Sequence, residues 1–130
     1  MNVADGWVWL DGLEAAWRNR DPEAAAELFT DDAAYQSHPF RTGLKGGSEI
    51  AAYWASATRG QTDIDVTFGE PLVAGNKMAV EWWSTMNEGG LPVTEAGELF
   101  LTFDNGRCSG LREYWNLTDG TVALPAGWGR

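Results

Sequence analysis

Residues 61–119, QTDIDVTFGEPLVAGNKMAVEWWSTMNEGGLPVTEAGELFLTFDNGRCSGLREYWNLTD, carry a period of two. Ile64, Val66 and Phe68 alternate with Asp63, Asp65 and Thr67, and Met78, Val80 and Trp82 alternate with Ala79, Glu81 and Trp83. Leu99, Leu101 and Phe103 alternate with Glu98, Phe100 and Thr102, while Leu111, Glu113 and Trp115 share one face of a last segment. Successive side chains of a strand point to opposite faces, so the pattern predicts four long strands, each with one buried face. Residues 71–76 and 87–92 and the triplet Asp104-Asn105-Gly106 read as the turns between them, the last as a hairpin signal.

Upstream of residue 61 the period changes to that of helices. Leu10, Leu13 and Trp17 form an apolar stripe with Asp11 and Glu14 on the other face. Asp21-Pro22-Glu23 is a start signal for a second helix, with Asp as N-cap and Pro at the first helical position. Ala24, Leu28 and Phe29 are its expected buried face, and Asp31-Asp32 its expected end. A short strand is expected from Ala34 to His38. Pro39 and the glycines at 43, 46 and 47 then form a loop ending at Ser48, a further N-cap. Ile50, Tyr53, Trp54 and Ala57 are the stripe of a third helix, closed by Gly60. Three helices followed by strands in meander order predict an α+β architecture, with the helices packed on one face of an antiparallel sheet. The chain of 130 residues reads as one domain, 1–130, with an irregular tail at 119–130.

Nine Lys and Arg against nineteen Asp and Glu give a net charge of -10, and no segment forms a basic footprint. A nucleic acid or an anionic membrane is therefore not the expected partner. One Cys and one His exclude an internal disulfide and any Cys or multi-His metal cluster. No cofactor is implied, because the Gly-rich phosphate-binding patterns are absent. With no signal-peptide-like start, the expected location is the cytoplasm. Eight Trp residues exceed what so small a core needs for volume. Trp54, Trp82 and Trp115 lie on three elements whose apolar faces point the same way, which suggests either core packing or an aromatic-walled cavity for a small ligand.

The runs RDPEAAAELFTDDAAYQSHPF, GGSEIAAYW, GEPLVAGNKMAVEWW and FDNGRCSGLREYWN together resemble the nuclear transport factor 2-like superfamily, in particular its SnoaL-like and ketosteroid-isomerase-like small proteins. The resemblance covers roughly residues 7–118. It implies a cone-shaped α+β barrel, three helices on a strongly curved sheet enclosing a pocket, and a homodimer packed through the sheet's outer face. The superfamily holds isomerases, epoxide hydrolases, dehydratases and cyclases as well as binding proteins, so the fold does not fix the chemistry. The ketosteroid isomerase site itself is not matched. Its base falls at Ser37-His38 before Pro39-Phe40, its oxyanion-binding tyrosine at Leu13 and its protonated acid at Leu99. Nor is the Asp-Arg-Asp set of limonene epoxide hydrolase visible, since Arg112 alternates away from Glu113.

Two residues are the expected proton-transfer groups. His38, the only His, stands where the resemblance puts the base and titrates near neutrality, unless it is a hydrogen-bonded loop residue. Glu113 alternates onto the core face beside Trp115, where burial raises a carboxyl pKa unless an arginine such as Arg41 pairs with it or a register slip leaves it exposed. Tyr35, Trp54, Trp82, Leu99 and Trp115 are the candidate substrate contacts, Tyr35 as a hydrogen-bond donor. Glu81, Glu98 and Asp65 are expected on the outer face, and Ser37 has no triad. The leading expectation is a cofactor-independent acid–base enzyme, of isomerase, cyclase, dehydratase or hydrolase type, acting on a small hydrophobic or aromatic oxygenated molecule. The alternative is a non-catalytic small-molecule-binding or dimeric scaffold protein. Trp83 and Phe100, apolar on the outer face, point to a homodimer, unless tail residues such as Trp128 fold back over them.

Overall fold

The computed structural model describes residues 1–130. Helix α1 spans Val3–Arg18, and Asn2 caps it in a reciprocal box with Asp5, at 2.9 and 2.7 Å. Its buried stripe runs from Trp9 and Leu10 through Leu13 to Trp17. Helix α2 spans Pro22–Glu27, and the Asp21 carboxylate accepts from the Ala24 N–H at 3.1 Å, as the Asp-Pro-Glu signal predicts. It stops earlier than expected. Leu28 is the C-cap and Phe29 already opens strand β1, Phe29–Gln36, so Asp31 and Asp32 lie in a strand instead of ending a helix. The reason is that Phe29 pairs with Cys108, and a distant strand decides the conformation that local periodicity assigns to the helix.

Strand β2, Leu44–Lys45, leads into helix α3, Gly47–Thr58. Ser48 is inside that helix and is not its cap. Gly46 is, at φ +83°, a left-handed conformation that suits glycine, and Glu49 reaches back to the Lys45 N–H at 3.2 Å. The remaining strands are β3 Gln61–Phe68, β4 Leu72–Ala74, β5 Lys77–Glu88, β6 Leu91–Asp104 and β7 Arg107–Asp119. Asn105 and Gly106, both at positive φ, close the β6–β7 hairpin between Asp104 and Arg107.

The strand order is β2-β1-β7-β6-β5-β3, with β4 also pairing β5. The run β3-β5-β6-β7 is the antiparallel meander read from the sequence, but β1 joins β7 in parallel, so the sheet is mixed and curls without closing. Its inner face meets the helices through a core in which Trp9 sets its ring edge-on to both Phe29 and Phe103. On the outer face Glu81, Glu98 and Asp65 are exposed as their parity requires. Trp83, also outward, is covered by its own tail. Its indole N–H donates to the Val122 carbonyl at 3.0 Å, and its ring meets Trp128 at 6.1 Å. Phe100 stays 42% exposed, edge-on to Tyr114. No helix is long and apolar enough to cross a membrane.

Candidate functional site

On the inner face, strand register brings three rows of side chains together. Val80, Leu99 and Glu113 form one, Trp82, Gly97 and Trp115 the next, and Ser84, Glu95 and Leu117 the third. Gly97 is the pivot of the middle row. A Cβ there would meet the Tyr114 carbonyl and, at 2.7 Å, the Trp115 Cβ, so only glycine lets β7 bring its indole this close. Under these rows lies a cavity of about 160 Å³. Trp17 of α1 and Tyr53 and Trp54 of α3 form its helical wall, and Trp82 and Trp115 its sheet wall. Trp17 is the hub, edge-on to Trp54 and to Trp82 at 5.5 Å each, and its own N–H is held by Gln61 Oε1 at 2.9 Å. The carboxyls of Glu88, Glu95 and Glu113 and the guanidinium of Arg41 complete the lining.

The electrostatics follow from burial. Glu113 is half-buried and borders the cavity, with its carboxyl largely withdrawn from bulk water. Desolvation pushes its pKa from 4.5 up to about 8, and the Glu95 charge adds to the rise; Arg41 and the Tyr35 hydroxyl oppose it. Glu95 is pushed up to about 7, first by burial and then by Glu88, with Arg41 again opposing. No cation lies within ion-pair distance of either. Tyr53 is raised to about 12, chiefly by burial and then by Glu113, and Tyr35 well above its ordinary value for the same first two reasons. Two indole N–H groups on the lining residues, those of Trp54 and Trp82, have no acceptor, nor has the hydroxyl of Ser84 beside Glu95.

Of the residues read from the sequence, Glu113, Trp54, Trp82 and Trp115 line this cavity together. Leu99 is buried directly across the strand from Glu113 but does not line it. Tyr35 is 2% exposed, packed between Phe29 and Tyr53 at 5.4 Å from each, and acts on Glu113 from behind the wall. His38 does not line the cavity either. Its ring meets Phe40 and the Trp115 ring, at 5.8 and 5.7 Å, and its Nδ1 accepts from the Phe40 N–H at 3.3 Å. The cause is the turn at 38–41, fastened by Arg41 N–H donating to the His38 carbonyl and by Gln36 Nε2 donating to the His38 and Arg41 carbonyls. That turn swings Arg41, not His38, over Trp115, with the guanidinium carbon 5.3 Å from the ring centre.

Glu95 is the lining residue that the sequence reading misses, although its signal is present. Phe103 aside, where the register shifts, Leu101, Leu99, Gly97 and Glu95 continue one inward face, and Gly97 interrupts the apolar pattern just before the carboxyl. Arg112 faces outward, into a second and larger concavity of about 700 Å³ lined by aliphatic residues, Phe100 and Lys77. No three His, Cys, Asp or Glu side chains are arranged to hold a metal ion.

A curled sheet on three helices around a pocket is the ketosteroid-isomerase-like class of α+β fold. The match of residues 10–110 to the SnoaL-like domain family places the chain in that family. No curated protein sequence matches it. Among solved structures it is similar to a Catenulispora acidiphila protein with a ketosteroid isomerase-like fold, in complex with trimethylamine, at 20% identity and TM-score 0.74, over 82% of this chain and 83% of that one. It is also similar to Mycobacterium tuberculosis RV0760c, at 17% identity and TM-score 0.78 over 92% and 99%. A third likeness is to a Mycobacterium tuberculosis LEH-like epoxide hydrolase, at 18% and 0.72 over 88% and 84%.

Proposed function

We propose that the inner cavity is the active site of a cofactor-independent acid–base enzyme, of isomerase, cyclase, dehydratase or hydrolase type, acting on a small, largely apolar oxygenated molecule. The observation that carries this reading is the pair Glu113 and Glu95, two carboxyls in one aromatic cavity, neither in an ion pair, with pKa values pushed up to about 8 and about 7. Glu113, raised the further of the two, is the one that keeps its proton longer as pH rises. Such a split assigns donor and acceptor roles at neutral pH. Glu95 removes a proton from the substrate while Glu113 delivers one to its oxygen, and the aromatic walls exclude water from the exchange. His38, placed by resemblance at the base position, acts in this reading through Trp115 and the turn that carries Arg41, as a positioning residue.

A binding protein without chemistry is the second reading, favoured by the cavity's size. About 160 Å³ compares with a cavity that holds benzene and is below the usual range for larger ligands. The likeness to a protein solved with trimethylamine points to ligands of that scale. The exposed Phe100 and Tyr114 on the outer face support a homodimer. The test of the enzymatic reading is turnover of small ketones, epoxides and hydroxy compounds across pH. A bell-shaped kcat/KM with limbs at about 7 and about 8 is expected, each limb belonging to the coupled pair. A flat profile across that window overturns the assignment of this pair.

A further inference from the structure

The cavity wall has a lopsided charge inventory. Three carboxyls, Glu88 on β5, Glu95 on β6 and Glu113 on β7, face it against one cation, Arg41 of the 38–41 turn. The phenols of Tyr35 on β1 and Tyr53 on α3, both pushed upward, stay neutral and add no positive charge. The rest of the wall is aromatic, and one of its rings already holds a cation, since Arg41 lies over Trp115. Ring faces attract cations, most strongly when water is excluded.

Resting on the reading of this cavity as the functional site, we propose that its ligand is a small tertiary or quaternary ammonium compound bearing an oxygen, with the ammonium against the Trp rings and the Glu95 carboxylate and the oxygen toward Glu113. A primary ammonium fits less well because it brings three N–H donors. Of the cavity's neutral acceptors, Gln61 Oε1 already holds the Trp17 N–H, and most of the remaining wall is aromatic. An alkylated ammonium brings one such donor or none, and an oxygen on the same molecule accepts from the protonated Glu113 carboxyl. Burial, and then the Glu88 charge, hold the Glu95 carboxyl above its ordinary pKa, and an entering cation favours its ionised form. Binding and proton release are therefore linked, and affinity rises with pH.

The test uses choline and its uncharged isostere 3,3-dimethylbutan-1-ol, titrated into the whole protein by tryptophan fluorescence and calorimetry at constant ionic strength. Choline is expected to bind roughly tenfold or more tightly at pH ~8 than at pH ~6, because a linked proton changes affinity about tenfold per pH unit below its pKa. The isostere is expected to bind weakly, with no such rise. Glu95→Gln, which retains shape and removes a buried charge, is expected to lose roughly tenfold in choline affinity at the higher pH and to abolish most of the proton release. Equal or tighter binding of the isostere at that pH, or choline affinity unchanged in Glu95→Gln, overturns the cationic ligand and leaves the acid–base pair standing. Carbon-13 NMR that finds both carboxyls titrating at ~4.3 removes the pair as well as the ligand.

Discussion

Glu113 and Arg112 are neighbours in sequence, yet they look into two different concavities on opposite faces of one sheet. The inner cavity is about 160 Å³ and the outer groove about 700 Å³. The smaller holds three carboxyls among indoles, two of them with pKa values pushed up to about 7 and about 8, whereas the larger holds Lys77 and Arg112 at its open edge with no carboxyl. Volume and chemistry have parted company. What concentrates chemistry is convergence of titratable groups away from water, which strengthens every charge interaction there. A broad groove open to solvent leaves its cations screened.

The sharpest way to break this comparison is to change the two neighbours separately. Glu113→Gln is expected to lower turnover by roughly 10²–10⁴, the usual contribution of a general acid or base, while Arg112→Gln stays within about twofold. Equal losses in the two variants, measured as kcat/KM on the same substrate, would erase the distinction between the faces.

The same carboxyl also leaves a mark on stability. Its folded pKa, about 8, lies above the ordinary value of 4.5, so between those limits the native state holds a proton that the unfolded chain has released. Stability therefore falls as pH rises from about 5 to about 8, by at most ~1.4 kcal/mol per pH unit for each such group. Glu95 adds to the slope up to about 7. Urea unfolding at intervals across this window is expected to show the decline. Glu113→Gln is expected to flatten it and to be the more stable protein at the upper end by roughly 2–4 kcal/mol. A variant with the wild-type slope would mean that the carboxyl is solvated.

Two glycines extend the contrast to packing. Gly97, in the inner row, has the Trp115 Cβ at 2.7 Å from where its own Cβ would stand, while Gly110, at the outer groove, has nothing nearer than Thr102 Cβ at 4.0 Å. Gly97→Ala is expected to destabilise by about 2 kcal/mol or more, as overpacking does, and Gly110→Ala by less than about 0.5 kcal/mol. Urea midpoints that shift equally would show that Trp115 can yield.

How much of this is legible in the sequence depends on how far apart the partners are along the chain. The meander β3-β5-β6-β7 can be read because each partner is the next long strand and each face repeats every two residues. The parallel pairing of Phe29 and Tyr35 with Cys108 and Leu111 cannot, since it joins the first strand to the last, and with it goes the true end of α2. In the site, parity is enough to turn Glu113 inward beside Trp115. It loses its apolar marks at Gly97, and Glu95 lies one step beyond. His38 is located by the Pro-Phe pair that follows it, but its side-chain direction is decided by a turn whose bonds run among Gln36, His38 and Arg41.

The smallest expected effect concerns assembly, and it uses the outer face alone. Three cross-strand rows lie there in sequence: Lys77, Thr102 and Gly110, then Ala79, Phe100 and Arg112, then Glu81, Glu98 and Tyr114. Cations stand in the first two rows and two carboxylates in the third. Glu81 and Glu98 stand directly opposite each other, a like-charge pair that is unfavourable in an isolated sheet. A two-fold axis parallel to the sheet, running across the strands between the Phe100 and Glu98 rows, would set the Phe100 and Arg112 row of one copy over the Glu98 and Tyr114 row of the partner subunit. The face is then complementary to itself, as a closed dimer requires. Trp83 has no part in this contact, because Val122 and Trp128 of its own tail cover it. Light scattering is expected to give about twice the 14.2 kDa chain mass. Arg112→Glu, which sets like charges together, is expected to weaken association about fivefold, or ~1 kcal/mol, and more so at low salt. Combining it with Glu98→Arg is expected to restore the affinity, since the exchanged pair attracts again. A chain that stays monomeric at micromolar concentration, or a double variant no better than Arg112→Glu, would leave the outer face without a partner.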